Sequence, residues 1–190
     1  TLTRCSPAER SAGAIRASPM PFVVSVSRHD SMSSTCMQRC CPGDFGSPRS
    51  HRDIGRLLSQ AAQASVLLLD YRLAPEHPFP AALDDAMAAY RWLLASGINP
   101  EKLVIAGDSA GGGLTLAALV SLRDQGLPLP ACAVTLSPWA DMTGASETLT
   151  SKAAEDPIVQ RDMLMQLAGM YLGEGDRSHP LASPLLADLS

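Results

Sequence analysis

The sequence predicts an α/β domain, a parallel sheet flanked by helices. Three observations point there. First, Val66–Leu69, Leu103–Ala106 and Cys132–Leu136 are short continuous apolar runs, the mark of strands buried on both faces of a parallel sheet. Second, stretches with a helical apolar period alternate with these runs, as right-handed β-α-β crossovers require. Third, the middle run meets a Gly107-Asp-Ser-Ala-Gly111 corner and then a small-residue run, so a strand turns sharply into a helix.

Taken in order, Ser50-His-Arg-Asp53 resembles a capping box with Asp in place of Glu. Ile54, Leu57, Leu58 and Ala61 follow at helical spacing and predict a helix over 52–63. After the first apolar strand, Tyr71–Pro80 is a loop held by Pro75, Pro78 and Pro80. Pro80 suits a first helical turn, and Asp84 and Asp85 suit the positive end of a helix. Leu83, Met87, Tyr90 and Leu94 form the buried face of a helix over 81–95, which Gly97 stops. The central strand and its corner lead into a helix over 110–124, closed by Gly126, Pro128 and Pro130. A third buried strand, Cys132–Leu136, ends at Ser137-Pro-Trp139. A polar stretch follows Asp141. Asp156-Pro157 is expected to open a last helix, with Val159, Met163, Leu167 and Met170 on one face and Gly173 at its end.

The corner carries the chemistry. G-x-S-x-G by itself arises by chance in about one chain in fifteen of this length at average composition. Between a strand and a helix it means a nucleophile elbow, with Ser109 lifted above the sheet. Gly107, Gly111 and Gly112 keep the turn free of bulk, and Asp108 precedes the serine. The backbone N–H of Ala110, at a helix N-terminus, points where an oxyanion develops. Parallel sheets place their sites at the carboxyl ends of strands. Asp70-Tyr71, Asp108-Ser109 and Ser137-Pro138-Trp139 all fall at such ends.

Composition narrows the function. The chain has 190 residues, 46% hydrophobic and 18% charged, enough for one core-forming domain and too apolar for disorder. A net charge of −4 without a basic patch argues against nucleic acid as a partner. No apolar run has the length of a membrane span. No charged-then-apolar leader is visible, so the expected location is cytoplasmic. The oligomeric state is not legible.

Residues 1–45 read as an irregular lead-in. The first fifty residues hold four of the five cysteines (Cys5, Cys36, Cys40, Cys41), and their one strand-like run is Phe22–Val26. A metal site from Cys36, Cys40, Cys41 and His29 or His51 is not expected, because C-x₃-C-C matches no common zinc pattern. A disulfide framework does not suit a chain whose remainder forms an ordinary core. No metal or organic cofactor is expected.

Asp70-Tyr-Arg-Leu-Ala-Pro-Glu-His-Pro-Phe-Pro-Ala81, Gly107-Asp-Ser-Ala-Gly-Gly112 and Leu136-Ser-Pro-Trp-Ala-Asp141 occur in this order. Together they resemble the bacterial hormone-sensitive-lipase-like esterases of the α/β-hydrolase superfamily, over about residues 46–190. The resemblance implies an incomplete α/β-hydrolase core over 46–142, a cap-like helical segment over 143–182, and the start of a further core segment over 183–190. It implies a carboxylesterase acting on a small-molecule ester with a short acyl group. Ser109 would attack the carbonyl, with a histidine as base, an aspartate orienting it, and water releasing the acid. The oxyanion hole would combine the Ala110 N–H with donors from a His-Gly-Gly-Gly loop.

Two departures accompany the resemblance. The His-Gly-Gly-Gly loop should fall near 39–42, where Arg39-Cys-Cys-Pro42 stands. With TCN codons for both serines, Met32–Gln38 read in a shifted frame permits Val-Val-Tyr-Leu-His, a strand entering that loop, although the next codon gives Ala. Residues before about 43 therefore fit a frameshift product, which AGY serine codons in the gene would refute. The triad Asp and His follow the serine on later strands in this family, and the sequence ends at Ser190 before either appears. Of the histidines, His77 and His179 read as structural. Asp108 and Asp141 read as local hydrogen-bonding groups, and Glu76 as a brace for the Arg72 loop. The expected consequence is impaired catalysis. The alternative is a non-catalytic small-molecule-binding pseudoenzyme, which the intact Ser109 elbow disfavours, or an inactive fragment. Amide hydrolysis by the same chemistry stays open.

Overall fold

A computed structural model describes residues 52–190 and the strands Leu2–Cys5 and Phe22–Val26. The elements are β1 (Leu2–Cys5), β2 (Phe22–Val26), α1 (Arg52–Ala62), β3 (Ser65–Leu69), α2 (Ala81–Ala95), β4 (Leu103–Asp108), α3 (Ala110–Asp124), β5 (Cys132–Leu136), α4 (Thr148–Ser151) and α5 (Arg161–Leu172). Short 3₁₀ turns sit at Pro100–Lys102 and Pro184–Leu186.

The five strands form one sheet in the order β1-β3-β2-β4-β5. β1 runs antiparallel to β3, and every other pairing is parallel. Val24 of β2 lies opposite Leu67 on one side and Ile105 on the other. Two strands thus come from the stretch that reads as an irregular lead-in. Phe22–Val26 is apolar and β-branched enough to be a strand, but only pairing reveals that it occupies the middle of the sheet. Leu2–Cys5 carries no alternation, and as a short edge strand it needs none.

The core has three parts. The largest lies on the α2/α3 face, where Leu67, Leu93, Leu103 and Leu122 are fully buried with Met87, Tyr90 and Ile105. Each such side chain contributes about 1.5–3 kcal/mol by leaving water. On the opposite face Ala64, Val66 and Leu68 lie under α1. That helix meets the sheet through its smallest residues: Gly55 and Ser59 are buried, and Ser59 Oγ donates to Ala64 O at 2.7 Å. Ile54, Leu57 and Leu58, whose spacing predicts the helix, face outward. The third part joins Met142, Ala168, Leu172 and Ala182 and packs α5 against the segments that flank it.

Two expectations are corrected. β5 is half-exposed, with Val134 and Leu136 open on its surface, because no described strand pairs its outer side. The last helix starts at Arg161; Asp156 Oδ1 instead accepts from the N–H groups of Ile158 and Val159 and closes a turn. The polar stretch after Asp141 contains the single-turn helix α4. The expected helices over 81–95 and 110–124 are found at those bounds, and Gly173 ends α5 at φ 60°.

Candidate active site

The parallel strands deliver their carboxyl ends to one edge of the sheet, with Val26 opposite Gly107 and Asp108 opposite Leu136. Ser109 lies at that edge, between β4 and α3. Its backbone is at φ 54°, ψ −115°, a region that costs a residue with a Cβ about 1–3 kcal/mol. Surrounding bonds hold it there. Ser109 N donates to Leu136 O at 2.9 Å, and Ser109 O accepts from Trp139 N at 2.9 Å and Gly113 N at 3.1 Å. The turn is therefore fastened to the end of β5, where Ser137 is also at positive φ (45°).

The glycines are required by contact. A Cβ on Gly107 would stand 2.1 Å from Gly111 O and 2.5 Å from Thr115 Oγ1. One on Gly112 would stand 2.9 Å from Pro138, and one on Gly113 would stand 2.1 Å from Trp139 O. Gly111 O in turn accepts from the buried Thr115 hydroxyl at 2.9 Å. Gly113, Thr115 and Ser137 thus belong to the elbow as well, and sequence reasoning missed them. The Gly111–Gly113 run was a visible signal for the first. Nothing in the chain announces the other two.

Ser109 is half-buried, and no described residue accepts a hydrogen bond from its hydroxyl. Nor does any described residue take the Ala110 N–H. At the start of α3 that N–H carries the positive end of the helix. A hydroxyl and a donor that no described residue engages stand side by side, which suits nucleophilic attack with charge developing on oxygen.

The two described histidines lie elsewhere. His179 Nδ1 accepts from Leu181 N at 3.2 Å, and its ring packs against Phe79 with centroids 5.1 Å apart. His77 is exposed, and its backbone N–H donates to Leu73 O at 2.8 Å. The considered metal ligands Cys36, Cys40, Cys41, His29 and His51, the 39–42 position of the expected oxyanion loop and the segment of the frameshift idea lie outside the described residues. Among the described residues no group of three or more His, Cys, Asp or Glu side chains could hold a metal ion. No described helix is long and apolar enough to cross a membrane.

The 71–80 loop borders the site. Its brace is Asp85, not Glu76: Asp85 accepts from Arg72 N at 2.8 Å and pairs with the Arg72 guanidinium at 2.9 Å. Burial pushes the Asp85 carboxyl upward, but the Arg72 hydrogen bonds outweigh it and hold it below the usual carboxylate range. The far end of the loop is tied by Phe79 N donating to Tyr171 O at 2.7 Å. A cleft opens between this loop, α3 and α5, with Ala110, Leu114, Trp139, Met142 and Tyr171 among its walls. Burial pushes the Tyr171 hydroxyl up to about 12, so it stays neutral.

The chain is similar to known proteins. The family with the α/β hydrolase fold matches residues 44–190. An acetyl-hydrolase of Streptomyces hygroscopicus is 50% identical over 146 residues, 77% of this chain and 49% of that protein. An esterase of Acinetobacter venetianus is 36% identical over 146 residues, 76% of this chain and 48% of that one. The crystal structure of an esterase from the bacterial hormone-sensitive lipase family superposes with a TM-score of 0.82 at 40% identity, covering 100% of this chain and 61% of that chain. The chain spans about half the length of these two sequence relatives.

Proposed function

The chain belongs to the α/β-hydrolase fold family, among the bacterial esterases of the hormone-sensitive-lipase type, and on that premise we propose that Ser109 is the nucleophile of a carboxylic ester hydrolase acting on short acyl esters. The observation that carries this reading is the strained Ser109 turn, φ 54° and ψ −115°, with its hydroxyl and the Ala110 N–H both free of described partners. Ser109 Oγ attacks the ester carbonyl carbon and its proton passes to a base. The carbonyl oxygen becomes an oxyanion within reach of the Ala110 N–H and the positive end of α3. Collapse expels the alcohol and leaves an acyl-serine, which water cleaves to the acid. This chemistry needs no metal or organic cofactor.

The base is assigned to no described residue: His179 Nδ1 accepts from Leu181 N, and no bond joins His77 to Ser109. We therefore expect slow turnover from these 190 residues alone. The test compares p-nitrophenyl acetate and butyrate hydrolysis by the chain and by Ser109→Ala. A rate lost in the variant supports Ser109 as the nucleophile. An equal rate from both proteins refutes it for this chain. Saturable ester binding without Ser109-dependent turnover would instead favour a ligand-binding role.

A further inference from the structure

The sheet ends at β5, whose outer side pairs with no described strand. The elbow shows which backbone groups are left there. Ser109 N donates to Leu136 O, and Asp108 lies opposite Leu136, so Leu136 turns its backbone groups toward β4. By the alternation of a parallel ladder Cys132 and Val134 do the same. Ala133 and Thr135 therefore direct their N–H and C=O groups outward, where no described residue takes them.

Three features fit this edge to a second copy of itself. The outward groups are self-complementary. With a two-fold axis through Val134, Ala133 lies opposite Thr135 of the second copy, and the two exchange both hydrogen bonds. The side chains match as well. Cys132, Val134 and Leu136 are in register with Val104, Ala106 and Asp108 and share their face of the sheet, and Val134 and Leu136 are 46% and 58% exposed. Across the axis Val134 meets its own counterpart, and Leu136 lies beside Cys132 of the second copy. Charge does not oppose the contact: no charged residue occurs from Leu127 to Ala140, so the axis brings no like charges together. Edge strands are commonly guarded by a lysine or a bulge. β5 has no lysine, and its register with β4 runs unbroken. Pro130 and Pro138 flank it and stop the pairing from running on, and the stretch between them is centred on Val134.

We propose that two copies of this chain associate by antiparallel pairing of β5 with β5, joining their sheets into one. A five-residue strand covers less than a standard interface of about 1,600 Å², so the dimer is weak and exchanges with monomer. The paired strand is also the one whose Leu136 O holds Ser109, but the proposal stands apart from the esterase reading.

Sedimentation velocity of the 190-residue chain from about 1 µM to about 500 µM tests it, with an average mass rising from one chain toward two as the expected result. Val134→Lys sets like charges on the axis, and Thr135→Pro removes an outward N–H from each copy. Each is expected to weaken association by about tenfold or more while unfolding stays cooperative. Ile158→Lys, at a 70% exposed position outside β5, controls for loose apolar association and is expected to change nothing. Register is read with Val134→Cys. Directly opposed residues of a non-hydrogen-bonded pair have Cα atoms about 4.5 Å apart, within reach of a disulfide. Oxidised glutathione is expected to link position 134 of one copy to position 134 of the other, as located by peptide mapping. A monomer throughout the concentration range overturns the proposal. So does association that Val134→Lys leaves intact, association that Ile158→Lys weakens equally, or absence of the 134–134 link. If Thr135→Pro does not fold, Val134→Lys decides, since its side chain already faces solvent.

Discussion

Gly107→Ala tests how the elbow is built. The new methyl would lie 2.1 Å from Gly111 O and 2.5 Å from Thr115 Oγ1. Both are well inside van der Waals contact, and the nearer is backbone. Gly111 O cannot swing away, because it sits in the first turn of α3 and accepts the Thr115 hydroxyl at 2.9 Å. Relief must come from lifting α3 off β4, which strains the bonds that tie Ser109 to Leu136 and Trp139. Overpacking of this kind costs about 1–3 kcal/mol where side chains can yield, and here the upper end or beyond applies. In a chain of this size about 3 kcal/mol lowers Tm by roughly 6–12 °C. Gly126→Ala is the control: its φ is 62°, but nothing lies within 4 Å of the added carbon, so only backbone strain of about 1 kcal/mol is expected. Thermal unfolding followed by circular dichroism compares both variants with the parent. If Gly107→Ala melts within a degree or two of the parent, or no lower than Gly126→Ala, the close packing of the elbow is not what requires glycine.

Three further predictions concern the same region. Ser109→Gly should melt above Ser109→Ala, by about 1–2 kcal/mol, because glycine removes the backbone strain that alanine keeps; equal or reversed stabilities would show that the turn is not strained. Thr115→Val keeps shape at a fully buried position but takes the hydroxyl from Gly111 O, so a loss of about 1–2 kcal/mol is expected from urea unfolding, and no loss would mean that the bond contributes nothing. Asp85→Asn should destabilise the chain near neutral pH, and the gap between parent and variant should close in acid. The Asp85 value is depressed in the folded chain, so its contribution is complete above the unfolded carboxylate value of about 3.9 and fades as pH falls through the lower folded one. A gap constant from pH 7 to 3 would remove Asp85 as the brace of the Arg72 loop.

Much of the site was legible because its signals are local. Gly107, Ser109 and Gly111 stand in one five-residue corner, and a strand leading into a helix sets its geometry wherever it occurs. The helices α2 and α3 were legible for a similar reason: apolar spacing, Gly and Pro all lie within each segment. The partners of the elbow were not legible. Gly113 meets Trp139 O, and Ser109 bonds to Leu136 and Trp139, contacts that cross 26 to 30 residues of sequence. The Arg72 brace went to Asp85 instead of Glu76 because α2 turns Asp85 toward the loop, whereas Glu76 is exposed within it.

By itself the sequence determined the α/β class, the order of the main helices and strands, and Ser109 as the candidate nucleophile. Each depends on short-range periodicity or on backbone freedom at single residues. Tertiary structure alone decided that Phe22–Val26 lies between β3 and β4, that β5 has an exposed outer side, and that α1 lies on the sheet through Gly55 and Ser59. It also decided that a cleft forms between the core and α5 beside Ala110. The physical reason is the same in each case. An apolar run records that a segment can be buried, but which neighbour buries it depends on pairing and packing between segments distant in the chain.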